Sequence, residues 1–168
     1  VDRAVVLDTG SSDETIARVR DTLIEIDVPE DVREAIFVDY AQARNLALAE
    51  AQMFGSPGWA LSLSADEVLV GGDKLRDFLL AYEGDEGAVL IEVRTPGGAF
   101  WYPRVLWVNG PWRYEGEIHE EPVHQEDRSR LPTVRAPIGC WIEYAPTDPE
   151  RLRKRVREVD LPILFRNL

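Results

Sequence analysis

Between Ala4 and Val93, short apolar runs of strand length alternate with stretches whose apolar residues recur at helical spacing. This alternation confines the chain to an α/β architecture. Ala4 to Leu7 is an apolar run closed by Asp8 and followed by Thr9-Gly10-Ser11-Ser12, which predicts a buried strand entering a tight turn. Ser11 with Glu14 has the spacing of a capping box, and Ile16, Val19 and Leu23 continue at helical period, so a helix is expected through about Leu23. Ala35 to Val38 is the next expected strand. Asp39 and Gln42 make a second capping pair, and the Ala-rich run from Tyr40 to Met53 predicts a helix. Gly55-Ser56-Pro57-Gly58 stops that helix, and Trp59 to Ser64 alternates like a strand that delivers Ala65-Asp66-Glu67 to its C-terminal end. A third helix over Lys74 to Tyr82, a turn from Gly84 to Gly87 and a strand over Ala88 to Val93 complete the series.

From Arg94 to Tyr144 the chain is rich in Trp, Tyr, Val, Gly and Pro without helical period, which predicts antiparallel strands and loops. In a last helix within 145–168, Leu152, Val156 and Val159 share one face and Arg151, Arg153, Lys154, Arg155 and Arg157 the other. That basic face reads first as a solvated surface. With 168 residues, the chain is expected to form a single domain: 1–93 an α/β part, 94–144 strands and loops, 145–168 the helix.

Composition narrows the function. A hydrophobic share of 45% excludes a disordered chain, and no apolar run reaches the roughly 18 residues of a transmembrane helix. Cys140 is the only cysteine, so no internal disulfide forms, and a reducing, cytoplasmic location is expected. The net charge of -12 disfavours general nucleic-acid binding, yet leaves room for one local phosphate site at a helix N-terminus or a divalent cation. All basic residues except Lys74 and Lys154 are arginine, a bias that suggests a GC-rich bacterial or phage genome.

In open α/β sheets ligands bind beyond the carboxyl ends of strands, where Asp8 and Asp66 are expected. One carboxylate there suits a base N–H or ribose hydroxyl, and a second suits Mg²⁺ or Mn²⁺ bridging a diphosphate. The competing reading is structural: Asp8 opens a turn and Asp66 caps the next helix. Spacing alone leaves the two open.

Four segments bring in a resemblance. Val5-Val6-Leu7-Asp8-Thr9-Gly10-Ser11-Ser12-Asp13-Glu14-Thr15 resembles the early strand-turn-helix of family 2 glycosyltransferases, and Asp39 to Leu48 resembles that family's Ala-Arg-Asn helix. Trp59 to Glu67 resembles the strand bearing its Asp-Ala-Asp-Glu metal motif, and Trp112-Arg113-Tyr114-Glu115-Gly116-Glu117-Ile118-His119-Glu120 its aromatic-Gly-x-Val-His-Glu segment. The match runs from Val5 to about Glu121. It implies a GT-A fold, a Rossmann-like, mixed and mainly parallel central sheet flanked by helices, and a metal-assisted, inverting transfer of a sugar from a UDP- or GDP-sugar to an acceptor hydroxyl. It also implies that the family's first strand is lacking here, so that an upstream segment or a partner chain completes the sheet.

On this resemblance the donor nucleotide is held by Asp8, Thr9, Gly10, Ser11, Ser64, Ala65 and Asp66, and the metal by Asp66 and His119. Ser64 stands where the motif has its first Asp, which weakens metal binding. Arg44 holds a donor phosphate or a structural ion pair, and Asn45 braces the turn after Asp8. Glu120 and Glu121 are the candidate general bases, Glu120 preferred, with a solvated acidic loop as the alternative. His124 is expected at the surface. Trp101, Tyr102, Trp107, Trp112 and Trp141 either fill the core or stack on the acceptor sugar. A catalytically impaired binding or scaffold module is the second reading, and a nucleotidyltransferase a weaker third.

Overall fold

The computed structural model describes residues 2–55, 57–84, 87–126, 133–144 and 148–167. It is a mixed α/β structure that divides into two compact units, Val1–Gly55 with Tyr114–Glu121, and Ser56–Arg113 with Pro122–Leu168. The expected turn over 84–87 falls partly outside the described residues, as do 145–147 and the side chains of Arg151 and Leu152.

In the first unit, β1 (Ala4–Asp8) and β2 (Glu30–Glu34) form a parallel pair, with Ala4 opposite Glu30 and Asp8 opposite Glu34. The helix between them, α1 (Thr15–Glu25), starts later than its capping box predicts and has no side-chain N-cap bond. The Ser11 hydroxyl is engaged by the Asp8 carboxylate, and Asp13 instead accepts the Thr15 amide at 3.0 Å. α1 ends in a Schellman turn: Asp27 takes φ 53°, the Val28 amide donates to the Leu23 carbonyl at 3.0 Å, and Asp27 donates to Ile24 at 3.1 Å. The chain therefore enters β2 directly after Pro29.

The strand expected at Ala35–Val38 is displaced to Glu30–Glu34. Its parallel partner runs out at Asp8, whose carbonyl takes a last bond from the Ala35 amide, and Ile36 beyond it is 86% exposed. α2 (Tyr40–Gln52) forms as predicted, capped by Asp39, whose carboxylate accepts the Gln42 amide at 2.7 Å. It buries Ala41 and Leu48.

The second unit is built on a six-stranded mixed sheet: β3 (Trp59–Leu61), β4 (Glu67–Val70), β5 (Ala88–Thr95), β6 (Gly98–Trp107), β9 (Thr133–Arg135) and β10 (Trp141–Tyr144). β5 is central. It pairs antiparallel with β6 and parallel with β9 and β10, while β3–β6 and β4–β10 are antiparallel. The sheet is thus more antiparallel than expected, because β5 and β6 are joined by the two-residue turn Pro96-Gly97 and such a link permits no other direction.

Alternate residues of β5 face one core, where Val89, Ile91 and Val93 pack with Val105, Ile142, Cys140 and Leu75 of α3 (Gly72–Ala81). Two further strands, β7 (Trp112–Glu115) and β8 (Glu121–His124), pair with each other. The last helix is continuous but changes pitch, from α4 (Pro149–Arg155) through a π-type turn (Val156–Asp160) to α5 (Leu161–Leu164) and a final 3₁₀ turn (Phe165–Asn167). Among the described residues no helix is long and apolar enough to cross a membrane.

Gly71 precedes α3 as its N-cap; its φ of 73° excludes most side chains, and a Cβ placed there would lie 2.1 Å from the Gly139 carbonyl oxygen. Gly71→Ala is expected to destabilise the protein by about 2 kcal/mol or more. Urea unfolding of the variant beside the parent measures it.

Candidate functional site

Asp8 ends β1 and is buried, with 8% of its surface exposed. Its Oδ2 accepts the amides of Gly10 at 3.0 Å and Ser11 at 2.9 Å, and its Oδ1 accepts the Ser11 hydroxyl at 2.5 Å. The Ser11 hydroxyl most of all, then the two amides, hold its carboxyl below the ordinary value of 3.8 against the opposing effect of burial. These bonds fill three of the about four acceptor positions of a carboxylate, leaving one on Oδ1. Asp8 therefore builds the turn and presents Thr9, Gly10 and Ser11 at the surface.

Two of the motif segments are locked together in the same unit. The Asn45 amide donates to the Tyr114 carbonyl at 2.8 Å and accepts the Tyr114 N–H at 2.7 Å, as a neighbouring strand would. Asn45 thus braces the start of the Tyr114–Glu121 stretch, whereas sequence reasoning assigned it to the Asp8 turn. Arg44, one residue earlier on α2, sets its Nε 2.6 Å from Glu120 Oε1, with both side chains more than four-fifths buried. Its guanidinium lies 5.9 Å from the Tyr114 ring centre. The Tyr40 amide adds a bond to the Glu117 carbonyl at 3.2 Å. Of the two roles open to Arg44, the ion pair is the one formed here, and it engages the carboxylate preferred as general base. Glu121 is exposed. His119 is exposed too and holds φ 60°, a conformation uncommon for a side chain other than glycine and found at functional turns.

Ser64, Ala65 and Asp66 lie in the second unit, on the turn between β3 and β4. The strand expected over Trp59–Ser64 stops at Leu61, because Glu67 closes the turn: its Oε2 accepts the Ser64 amide at 2.8 Å while its own amide donates to the Ser64 carbonyl at 3.1 Å. The other oxygen, Oε1, accepts Nη2 of Arg104, and the pair is nearly excluded from solvent at 6% and 10% exposure. Arg104 stands at the irregularity of the β5–β6 ladder, with its guanidinium 5.2 Å from the Tyr102 ring. This clamp escapes sequence reasoning, since 37 residues separate its members. Asp66, held on the clamped turn, keeps its carboxylate 26% exposed, with Arg155 Nη1 3.9 Å away.

Asp66 and His119 belong to different units. Among the described residues no group of three or more His, Cys, Asp or Glu side chains is gathered as a ready-made metal cage. A single accessible carboxylate suits Mg²⁺ or Mn²⁺, which take one or two protein carboxylates and complete their shell with water and substrate phosphate.

His124, expected at the surface, is buried: its ring packs edge-on to Trp112 at 5.5 Å and its Nδ1 accepts the Glu126 amide at 3.3 Å. Among the aromatics, Trp112 belongs to the core, and Trp107 packs edge-on to Trp59 at 5.2 Å. Trp101 is 38% exposed beneath Arg135, and Trp141 lies beneath Arg94. The chain matches no protein-family model and no curated protein.

The lowered pKa of Asp8 contributes stability above the unfolded value of 3.8, and that contribution is lost as pH falls through the lower native value. Asp8→Asn is expected to cost about 1–3 kcal/mol at pH 7. The gap between variant and parent narrows below pH 3.8 in urea titrations at stepped pH. For the clamp, Glu67→Leu removes the carboxylate paired with the buried Arg104 and costs about 3–5 kcal/mol. The double variant with Arg104→Met recovers most of that loss in the same assay.

Proposed function

We propose that this chain is a GT-A domain of the family 2 glycosyltransferase type, cytoplasmic, which transfers a sugar from a UDP- or GDP-sugar to an acceptor hydroxyl with Mg²⁺ or Mn²⁺ and inversion. The observation that carries the reading is the joining of Arg44-Asn45 to Tyr114 and Glu120. Two segments that resemble the family's motifs, 69 and 76 residues apart at these contacts, are tied through the motif residues themselves. A chance likeness in two short stretches gives no reason for such mutual bonding.

In this reading the turn after Asp8, with Thr9, Gly10 and Ser11, receives the nucleotide. In the second unit, Asp66 on the clamped turn is the carboxylate that would hold the metal. When bound, the metal neutralises the charge on the departing diphosphate. Glu120, held by Arg44, and the exposed Glu121 are the candidate general bases that would deprotonate the acceptor. β1 pairs only with β2 among the described residues, and its apolar residues Ala4 to Leu7 are merely half-buried. The other edge of β1 is one at which a further strand would pair. The acceptor is recognised by the loops between Arg94 and Tyr144.

The second reading, a catalytically impaired nucleotide-binding or scaffold module, is favoured by Ser64, which cannot supply the charge of an aspartate. Calorimetry with UDP and GDP, with and without Mn²⁺, separates the two. The enzyme reading expects binding enhanced by metal, with the enhancement lost in Asp66→Ala and raised about tenfold in Ser64→Asp. Tight binding indifferent to metal and to Asp66 sinks it in favour of the module. So does sugar transfer that appears only when Ser64 is replaced by Asp.

A further inference from the structure

We propose that the solvent face of the six-stranded sheet is a saccharide-binding platform, with Trp101 and Trp141 as its stacking surfaces and Glu92 and Arg135 as its groups for sugar hydroxyls. The inference goes beyond the donor-site reading and does not depend on it, since none of these residues belongs to that site. Register sets the arrangement. On β5, Val89, Ile91 and Val93 point into the core, so Leu90, Glu92 and Arg94 line the opposite face. Glu92 lies opposite Trp101 of β6 on one side and opposite Trp141 of β10 on the other, and directly opposed residues share a face. The two indoles therefore rise from one face, two strands or about 10 Å apart, with a carboxylate between them. Arg135 of β9 enters the same face, because it stands opposite Leu90.

The polar groups of this face are open to a ligand. Arg94 lies 4.1 Å from the Trp141 ring centre and gives both Nε, at 2.7 Å, and Nη2, at 2.6 Å, to Oε2 of Glu92. With both bonds on one oxygen, Oε1 remains an acceptor without a partner among the described residues. The Arg135 guanidinium lies 4.8 Å from the Trp101 ring centre and, among the described residues, makes no hydrogen bond or ion pair. The indole N–H groups of Trp101 and Trp141 likewise have no acceptor among the described residues. Trp101 keeps 38% of its surface exposed, a large share for a side chain whose burial is so favourable.

A pyranose is apolar on its two faces, where C–H bonds point outward, and polar around its rim, where hydroxyls both donate and accept. It matches flat indoles set beside unpaired donors and an unpaired acceptor, the mix of aromatic surface and few placed polar groups that binds small ligands. A guanidinium over an exposed ring contributes little, so it yields the ring to a sugar at small cost and keeps its N–H groups beside the sugar's rim. The span between the indoles suits two residues of an extended sugar chain, which favours an oligosaccharide over a single sugar. A polyanion fits poorly, given the net charge of -12 and the carboxylate of Glu92 between the rings. An aliphatic partner surface fits no better, because it would cover Glu92 and Arg135 without satisfying them.

The test is affinity electrophoresis of the whole chain in native gels containing hydroxyethyl cellulose, galactomannan or soluble starch, beside a gel without polysaccharide. At least one polymer is expected to retard the parent. Trp101→Ala and Trp141→Ala each weaken that retention about tenfold and Arg135→Gln about threefold, while Trp101→Phe and Trp141→Phe, which keep a flat ring, recover part of it. Arg18→Gln, at a side chain 79% exposed on α1, migrates as the parent does. Tryptophan emission of the parent shifts to the blue on titration with the hexasaccharide of the retarding polymer, a readout that needs no variant to fold. Free migration of the parent in every gel overturns the assignment. So does retention that survives Trp101→Ala and Trp141→Ala in variants that melt as the parent does. A mobility shift with a single-stranded RNA oligomer, and with no polysaccharide, gives the face to nucleic acid and overturns it as well. None of these outcomes bears on nucleotide binding at Asp8 or Asp66, so the two readings fail separately.

Discussion

The larger unit depends on burying one strand on both edges and one face. β5 has β6 along one edge and β9 and β10 along the other, and Val89, Ile91 and Val93 are almost wholly removed from water. Burial of this kind contributes about 25 cal/mol for each Å² of apolar surface covered, so the β-branched row at the centre outweighs any polar contact at the periphery. The turn bearing Ser64 and Asp66 is tied to this row through a succession of contacts. β6 carries Arg104 at its irregularity, Arg104 fixes Glu67, and Glu67 fixes the turn that carries Ser64 and Asp66. A loop that would otherwise sample many conformations is thereby fastened to the most rigid part of the fold, the condition under which a single carboxylate can serve as a precise ligand.

The smaller unit solves its problem by a different route. Its apolar core is thin, with Ala41, Leu48 and Tyr114 buried beside the charged Asp8, so order comes from directional bonds. Three bonds to Asp8 set one turn, a Schellman ending sets the next, and the Asn45 amide imitates a strand neighbour for Tyr114. Such bonds are worth little each but dictate geometry closely. The Arg44–Glu120 pair belongs to the same device and is too well buried to be a casual surface contact.

Local chemistry was readable in the sequence wherever it was decided locally. Asp39 caps α2 as its spacing with Gln42 implied, and Asp8 and Gly10 form a turn where the apolar run ends. Reading failed where a partner distant in sequence decided the outcome. Ser11 offered its hydroxyl to Asp8 instead of to a helix amide, and β2 fell on a polar stretch because β1 dictated the register. His124 was misplaced because its burial depends on Trp112, twelve positions earlier and on the neighbouring strand. The same limit hid the clamp of Arg104 on Glu67, and the approach of Arg155, seen in the sequence only as part of a basic face, to Asp66.

The surface charge makes the arrangement at Asp66 more informative. With a net charge of -12, a diphosphate approaching this chain meets repulsion over most of its path, and a site for it must concentrate cations within a few ångströms. Ser64, uncharged, leaves Asp66 as the acidic group between it and the clamped Glu67 on that turn. The permanently charged guanidinium of Arg155, 3.9 Å from the Asp66 carboxylate, offsets part of that negative charge. The turn that carries Ser64 and Asp66 is thus less acidic than its exposed position in a chain of net charge -12 would suggest.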